Sequence, residues 1–138
     1  MTVRLRQQVL DAVVAHARRG HPREVVGLLA RSAPHSGDIV DSHPLLNEER
    51  QYPHLGFLVS PGALAAAEQA VHDAGLHVAG VYHSHPGRSA RWSPADRDSA
   101  RVGDVHLIVS LRGAVTEIRA WRRVVDRTME ELPVVLVA

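Results

Sequence analysis

Residues 76–96 read LHVAGVYHSHPGRSARWSPAD. Leu76 to Tyr82 is a short apolar run of the kind that forms a buried strand, and it delivers His83 and His85 at its C-terminal end. Residues two apart in an extended backbone project from the same side, so both imidazoles leave one face. Pro86 has no N–H to give to a ladder and ends the strand. Gly87 to Trp92 reads as a loop. Ser93-Pro94-Ala95-Asp96 then opens a short helix, because Ser followed three residues later by an acidic residue is the pattern of a capping box.

The same alternation of helix and strand continues on both sides. Ser60 is an N-cap and Pro61 a first helical residue; Leu64, Ala67 and Val71 share one side of the helix that follows, and Gly75 ends it. Farther upstream, Leu5, Val9, Leu10, Val13, Val14 and Ala17 recur at helical spacing, and Arg18, Arg19 and Gly20 supply a cationic stop, which predicts a helix over residues 4–19. Val25 to Ala30 is an apolar strand, and a Ser/Pro/Gly-rich turn over 33–37 leads to a second strand over 38–43, together a hairpin. Residues 45–54 are polar and read as an exposed loop before strand character returns at 55–59. Strands follow at 105–110 and 114–121, and the apolar tail 132–138 suits an edge strand or a partner contact such as a homodimer interface. The order α-β-β-β-α-β-α-β-β predicts the α/β (α+β) class, a mixed β-sheet flanked by helices, with no linker dividing residues 1–138.

Composition narrows the chemistry. Sixteen basic residues, all Arg, stand against 15 acidic ones for a formal net charge of +1, which gives no electrostatic case for a nucleic-acid or membrane partner. The 45% hydrophobic content suffices for one core. With no Cys, thiol nucleophiles, disulfides and thiolate metal sites are excluded, so any metal must be held by His, Asp or Glu. The N-terminus lacks the continuous apolar region of a signal peptide, and no run approaches the roughly 20 residues of a membrane span. The expectation is a soluble cytoplasmic protein.

His83, His85 and a carboxylate from Asp96, with ten residues between His85 and Asp96, would make a two-His, one-carboxylate set that leaves a fourth position to water. Each part also has a plainer reading. A His-x-His pair is common in a chain with ten histidines, Ser93 and Asp96 are a helix cap, and Glu24 taken alone is a surface carboxylate. The 87–92 loop reads as solvated, with Arg88, Arg91 and Trp92 lining a groove as the functional alternative. Histidines 16, 21, 35, 43, 54, 72, 77 and 106 have no second ligand at useful spacing and are read as exposed or hydrogen-bonded, without catalytic duty.

The joint pattern of Glu24, His83-Ser84-His85-Pro86 and Ser93-x-x-Asp96 resembles the JAMM (MPN+) family of zinc metallopeptidases. The likeness extends over most of the chain, from the first helix to about Trp121. His21-Pro22-Arg23-Glu24 followed by Gly27-Leu28-Leu29 looks like the opening of bacterial members, although Val26 stands where those commonly carry Cys. Asn47 matches an Asn often seen there. The resemblance implies an MPN/JAB1 fold akin to the cytidine deaminase-like architecture, with one Zn2+ per chain on His83, His85 and Asp96 and a catalytic water as fourth ligand. It further implies Glu24 as general base and then acid, and Ser93 as donor to the tetrahedral intermediate. Ser84 is read as a spacer. Among bacterial members the chain looks most like small stand-alone enzymes that hydrolyse a bond next to the C-terminal Gly-Gly of a ubiquitin-like sulfur carrier protein. Release of cysteine, trimming of a peptide and cleavage of an isopeptide conjugate all remain open. A non-catalytic MPN scaffold binding a protein partner is the rival reading; a zinc nucleobase deaminase needs cysteines that are absent.

Overall fold

Val3 and Leu5 are buried while Arg4 and Arg6 are exposed, a period of two rather than of helical turns. In the computed structural model, which describes residues 1–125 and 128–138, they form strand β1 (Val3–Arg6). Helix α1 (Gln7–Gly20) therefore starts later than its apolar spacing predicts. Leu5 and Val9 are four apart and fit a helix locally, but long-range pairing of β1 with Ile39 on one side and with residues 134–137 on the other overrides that preference. The predicted hairpin is β2 (Val26–Arg31) with β3 (Ile39–Leu45), antiparallel. Helix α2 (Pro61–Asp73) begins as expected, Ser60 Oγ accepting the Ala63 N–H. Strand β4 (His77–His85), helix α3 (Pro94–Ser99) and strands β5 (Val105–Ser110) and β6 (Glu117–Arg123) follow. The apolar tail contributes β8 (Val134–Val137), an edge strand, while β7 (Met129–Leu132) before it was not anticipated.

One eight-stranded mixed sheet results, in the order β7-β6-β5-β4-β2-β3-β1-β8. Strands β7 and β8 sit at its opposite edges, yet only Pro133 separates them in the chain. A flat sheet of this width would hold its edges on the order of 30 Å apart, whereas residues on either side of a single link are at most about 7 Å apart. The sheet must therefore curl until the end of β7 and the start of β8 come together at Pro133, whose carbonyl accepts the Val3 N–H at 2.8 Å.

The helices cover opposite faces. Val9, Val13 and Ala17 of α1 pack on Leu29, Tyr82, Leu107 and Val109, while Ala67 and Val71 of α2 pack on Leu28, Ala30, Val78 and Val81. Each fully buried Val or Leu among these contributes about 1.5–3 kcal/mol. Strand β4 lies between β2, antiparallel to it, and β5, parallel to it. Gly80 has φ of 156°, and an added Cβ would overlap the Val105 carbonyl, so this close approach to β5 requires glycine.

Residues 55–59 do not join the sheet as predicted. The Asn47 side chain accepts the Leu58 N–H at 3.1 Å, and the Leu58 carbonyl accepts from the Glu48 N–H at 2.8 Å. The loop itself supplies the hydrogen bonds that a neighbouring strand would give.

Candidate metal centre

Because β4 stays extended through His85, the two histidines share the face that carries Val81, opposite Tyr82. Both rings are fully buried. His85 Nδ1 lies 2.7 Å from the Ser89 carbonyl oxygen. A carbonyl only accepts, so the hydrogen-bond network assigns a proton to Nδ1 and turns Nε2 inward. Nε2 stands 3.2 Å from Asp96 Oδ2. A neutral imidazole would direct its lone pair at that carboxylate, so the arrangement calls for a second proton or a cation between the two groups.

Asp96 is delivered by the start of α3. Its N–H donates to Ser93 Oγ at 3.2 Å, and the Ser93 N–H donates to Asp96 Oδ2 at 2.8 Å, a complete capping box. The cap and the site are one structure, for the same carboxylate places Oδ1 3.5 Å from His83 Nε2. Two ligands that each lie about 2.0–2.1 Å from a tetrahedral zinc are roughly 3.3 Å apart, the spacing seen between Asp96 and the two imidazoles. Burial alone would raise the Asp96 pKa; the His85 hydrogen bond, the His83 charge and the Ser93 N–H outweigh it and hold the carboxyl well below the usual range.

Glu24, expected at the surface when read alone, is 1% exposed. It precedes β2, where its N–H donates to the Pro53 carbonyl at 2.7 Å and its own carbonyl accepts from Asn47 Nδ2 at 2.9 Å. Next to it, Val25 is tied to Ser84, so Ser84 does more than space the histidines. Glu24 Oε1 lies 3.4 Å from His83 Nδ1, and Oε2 accepts from Arg88 at 2.9 Å. Ligand atoms of Glu24, His83 and His85 all fall within 4.8 Å of one another.

His106 completes the cluster and was not anticipated. It sits on β5 opposite Val81, with its ring 4.8 Å from that of His83, and its ligand atoms group with those of His83 and Asp96 within 4.8 Å. No local pattern reveals it, since its neighbourhood depends on the parallel register of β4 and β5. Burial, then the His83 charge, pushes its imidazole down to about 3. Both nitrogens of His83, both of His106 and Glu24 Oε1 are buried without a hydrogen-bond partner among the described residues. Each such orphan costs about 1–3 kcal/mol, and a bound cation is a group that would satisfy several at once.

Beside the cluster lies an apolar cavity of about 280 Å3, lined by Val26, Leu28, Phe57, Leu64, Val81 and His106 among others. Phe57 joins the two, its ring 4.9 Å from that of His83.

The sequence matches the family described as prokaryotic homologs of the JAB domain over residues 6–124. The chain belongs to the JAB family. It is 35% identical over 133 residues to the CysO-cysteine peptidase of Mycobacterium tuberculosis, covering 94% of this chain and 88% of that protein. To the desampylase of Haloferax volcanii it is 32% identical over 111 residues, 77% of this chain and 78% of that protein. A JAB1/MPN domain protein from Archaeoglobus fulgidus, 21% identical, superposes with a TM-score of 0.60 over 99% of this chain and 98% of that one. The JAB1/MPN fold and the mixed sheet flanked by helices are thus as the sequence pattern predicted.

Around the JAB-family cluster, the 87–92 loop departs from the solvated reading. Trp121 Nε1 donates to the Ala90 carbonyl at 2.9 Å, the Ala90 N–H donates to Glu117 at 2.9 Å, and Ser110 Oγ donates to the Arg88 carbonyl. Arg91 is exposed, Trp92 is half-buried, and Arg88 turns in to Glu24. Among the described residues no helix is long and apolar enough to cross a membrane.

Proposed function

We propose that this JAB-family chain is a zinc-dependent metallopeptidase. Its substrate is a peptide or isopeptide bond next to the C-terminal Gly-Gly of a ubiquitin-like sulfur carrier protein. His83, His85 and Asp96 hold the metal, Glu24 moves the proton, and Ser93 donates to the developing oxyanion. The observation that carries this reading is the Asp96 carboxylate set between two buried imidazoles, with His85 Nε2 turned toward it by the Ser89 carbonyl. That second contact orients the ligand ring as outer-shell partners of metal-bound histidines do.

Zinc bound in this set supplies Lewis acidity and brings the pKa of water to about 7. Glu24 Oε1, buried and without a hydrogen bond among the described residues, takes the proton of the attacking water and returns it to the departing amine nitrogen. The Ser93 oxygen already accepts the Asp96 N–H, which leaves its hydroxyl proton for the substrate carbonyl oxygen as that oxygen gains charge. The names of the two relatives support the choice of substrate, since one is a CysO-cysteine peptidase and the other a desampylase.

Mass spectrometry of sulfur carriers bearing a residue, a peptide or a lysine conjugate beyond Gly-Gly, incubated with zinc-loaded and chelated protein, tests the proposal. Metal-dependent cleavage is expected. Glu24→Gln should keep the zinc and lose turnover, whereas His83→Ala, His85→Ala and Asp96→Ala should lose the zinc. A fully active Glu24→Gln protein would sink the mechanism. Absence of cleavage of any adduct would leave the non-catalytic scaffold as the better reading.

A further inference from the structure

Arg88 contributes a guanidinium to the cluster that the chemistry above does not use. Its Nη2 donates to Glu24 Oε2 at 2.9 Å and to the Leu55 carbonyl at 3.3 Å. Its Nε is buried and has no partner among the described residues, while the side chain as a whole is 37% exposed. A guanidinium carries five N–H donors in a planar fork suited to a carboxylate. Here one nitrogen is engaged, Nε is left over as a buried donor, and the rest of the side chain still reaches solvent. The bonds that anchor the backbone at Arg88 and Ala90 hold this fork in place.

We propose that Arg88 is a specificity residue that binds the free α-carboxylate of the leaving amino acid, so that the enzyme releases a single C-terminal residue in preference to splitting an isopeptide. The inference rests on the peptidase reading and decides among the substrates that reading leaves open. Glu24 must reach the departing amine nitrogen to return its proton, which puts that nitrogen about 3 Å from the carboxylate. In an α-amino acid the carboxylate oxygens lie roughly 3 Å from the same nitrogen, because a single Cα intervenes. A cation in hydrogen-bond contact with Glu24 is therefore within reach of a carboxylate on the leaving residue. The unspent donors let Arg88 hold that group without releasing Glu24.

The alternatives present no charge at this point. A longer leaving peptide has a neutral amide where the single residue has its carboxylate. A lysine Nζ stands on the order of 7 Å from its own backbone carbonyl, which in a conjugated protein is also an amide. A paired carboxylate on a charged donor is worth about 10- to 100-fold in binding, enough to set a preference among these substrates.

The test remakes one sulfur-carrier adduct by semisynthesis, ending in Gly-Gly-Cys as the free acid and as the carboxamide, beside a Gly-Gly-lysine isopeptide. Wild-type protein is expected to favour the acid over the amide by about 10-fold or more in kcat/KM. Arg88→Ala should remove that preference chiefly through KM on the acid, and Arg88→Lys should restore part of it. Thermal unfolding confirms that both variants fold. Equal rates on acid and amide by the wild type, faster isopeptide cleavage, or an Arg88→Ala loss shared equally by acid and amide would each overturn the proposal while leaving the peptidase standing. Cleavage of none of the three adducts would instead overturn the peptidase reading, and this inference with it.

Discussion

Val25 and Ser84 exchange two hydrogen bonds: the Val25 N–H donates to Ser84 Oγ at 2.9 Å, and the Ser84 N–H donates to the Val25 carbonyl at 3.0 Å. The residue between the two histidines thereby fixes the residue after Glu24, so the proposed base and the proposed ligands share one rigid frame. Removing the hydroxyl in Ser84→Ala strands a buried N–H, which costs about 1–3 kcal/mol. Urea denaturation should show that loss, and turnover should fall while bound zinc stays near one per chain. A Ser84→Ala protein with wild-type stability and activity would refute the frame.

Asn47 does for the 45–58 loop what Ser84 does for the strands. Its Nδ2 donates to the carbonyls of Glu24 and Gly56 at 2.9 and 3.1 Å, and its Oδ1 accepts the N–H groups of Glu49 and Leu58 at 3.0 and 3.1 Å. With each bond worth about 1 kcal/mol, Asn47→Ala should cost about 2–4 kcal/mol. Hydrogen exchange should quicken at the amides of 49 and 58 before the strands respond; uniform exchange across the chain would argue against the loop as the unit affected.

His106 gives metal-free protein an acid-sensitive stability. Its folded-state pKa is about 3, below the ordinary value near 6.5 that it recovers on unfolding. Between those values the unfolded chain binds a proton that the folded chain refuses. The stabilising contribution is therefore present above about pH 6.5 and lost progressively as pH falls toward 3, with a slope approaching 1.4 kcal/mol per pH unit. Asp96, depressed in the folded state, acts in the same sense at lower pH, below about pH 4. Denaturation of chelated protein from pH 7 to 4 should show the loss, and His106→Gln should flatten it. An unchanged slope in the variant would assign the sensitivity to another group.

Ser93→Ala separates the two duties proposed for one hydroxyl. Loss of the N-cap should cost about 1 kcal/mol of stability, visible in the unfolding midpoint. Loss of an oxyanion donor should lower kcat by about 100-fold with zinc content unchanged. A drop in zinc with normal specific activity per bound metal would show that Ser93 serves only to hold Asp96.

Much of this was legible because the determinants are local. The Ser60-Pro61 start of α2, the capping box of α3 and the extended His83-x-His85 each depend on residues a few positions apart. What escaped depends on partners far along the chain. β1 is a strand because β3 and β8 flank it, residues 55–59 leave the sheet because Asn47 takes their hydrogen bonds, and His106 meets His83 only through the β4–β5 register. Glu24 looked like a surface carboxylate because its burial is created by Pro53, Asn47 and Arg88, none of them its sequence neighbours.

The pairing of residues 3–6 with residues 134–137 also bears on how the molecule is made. Strand β1 must wait for one synthesised more than a hundred residues later, and until then one edge of β1 stays open to other chains. Contacts of such long range are slow to form. A nascent chain halted before Pro133 would leave this rim unsealed during translation, which is where misassembly and recognition by chaperones should concentrate.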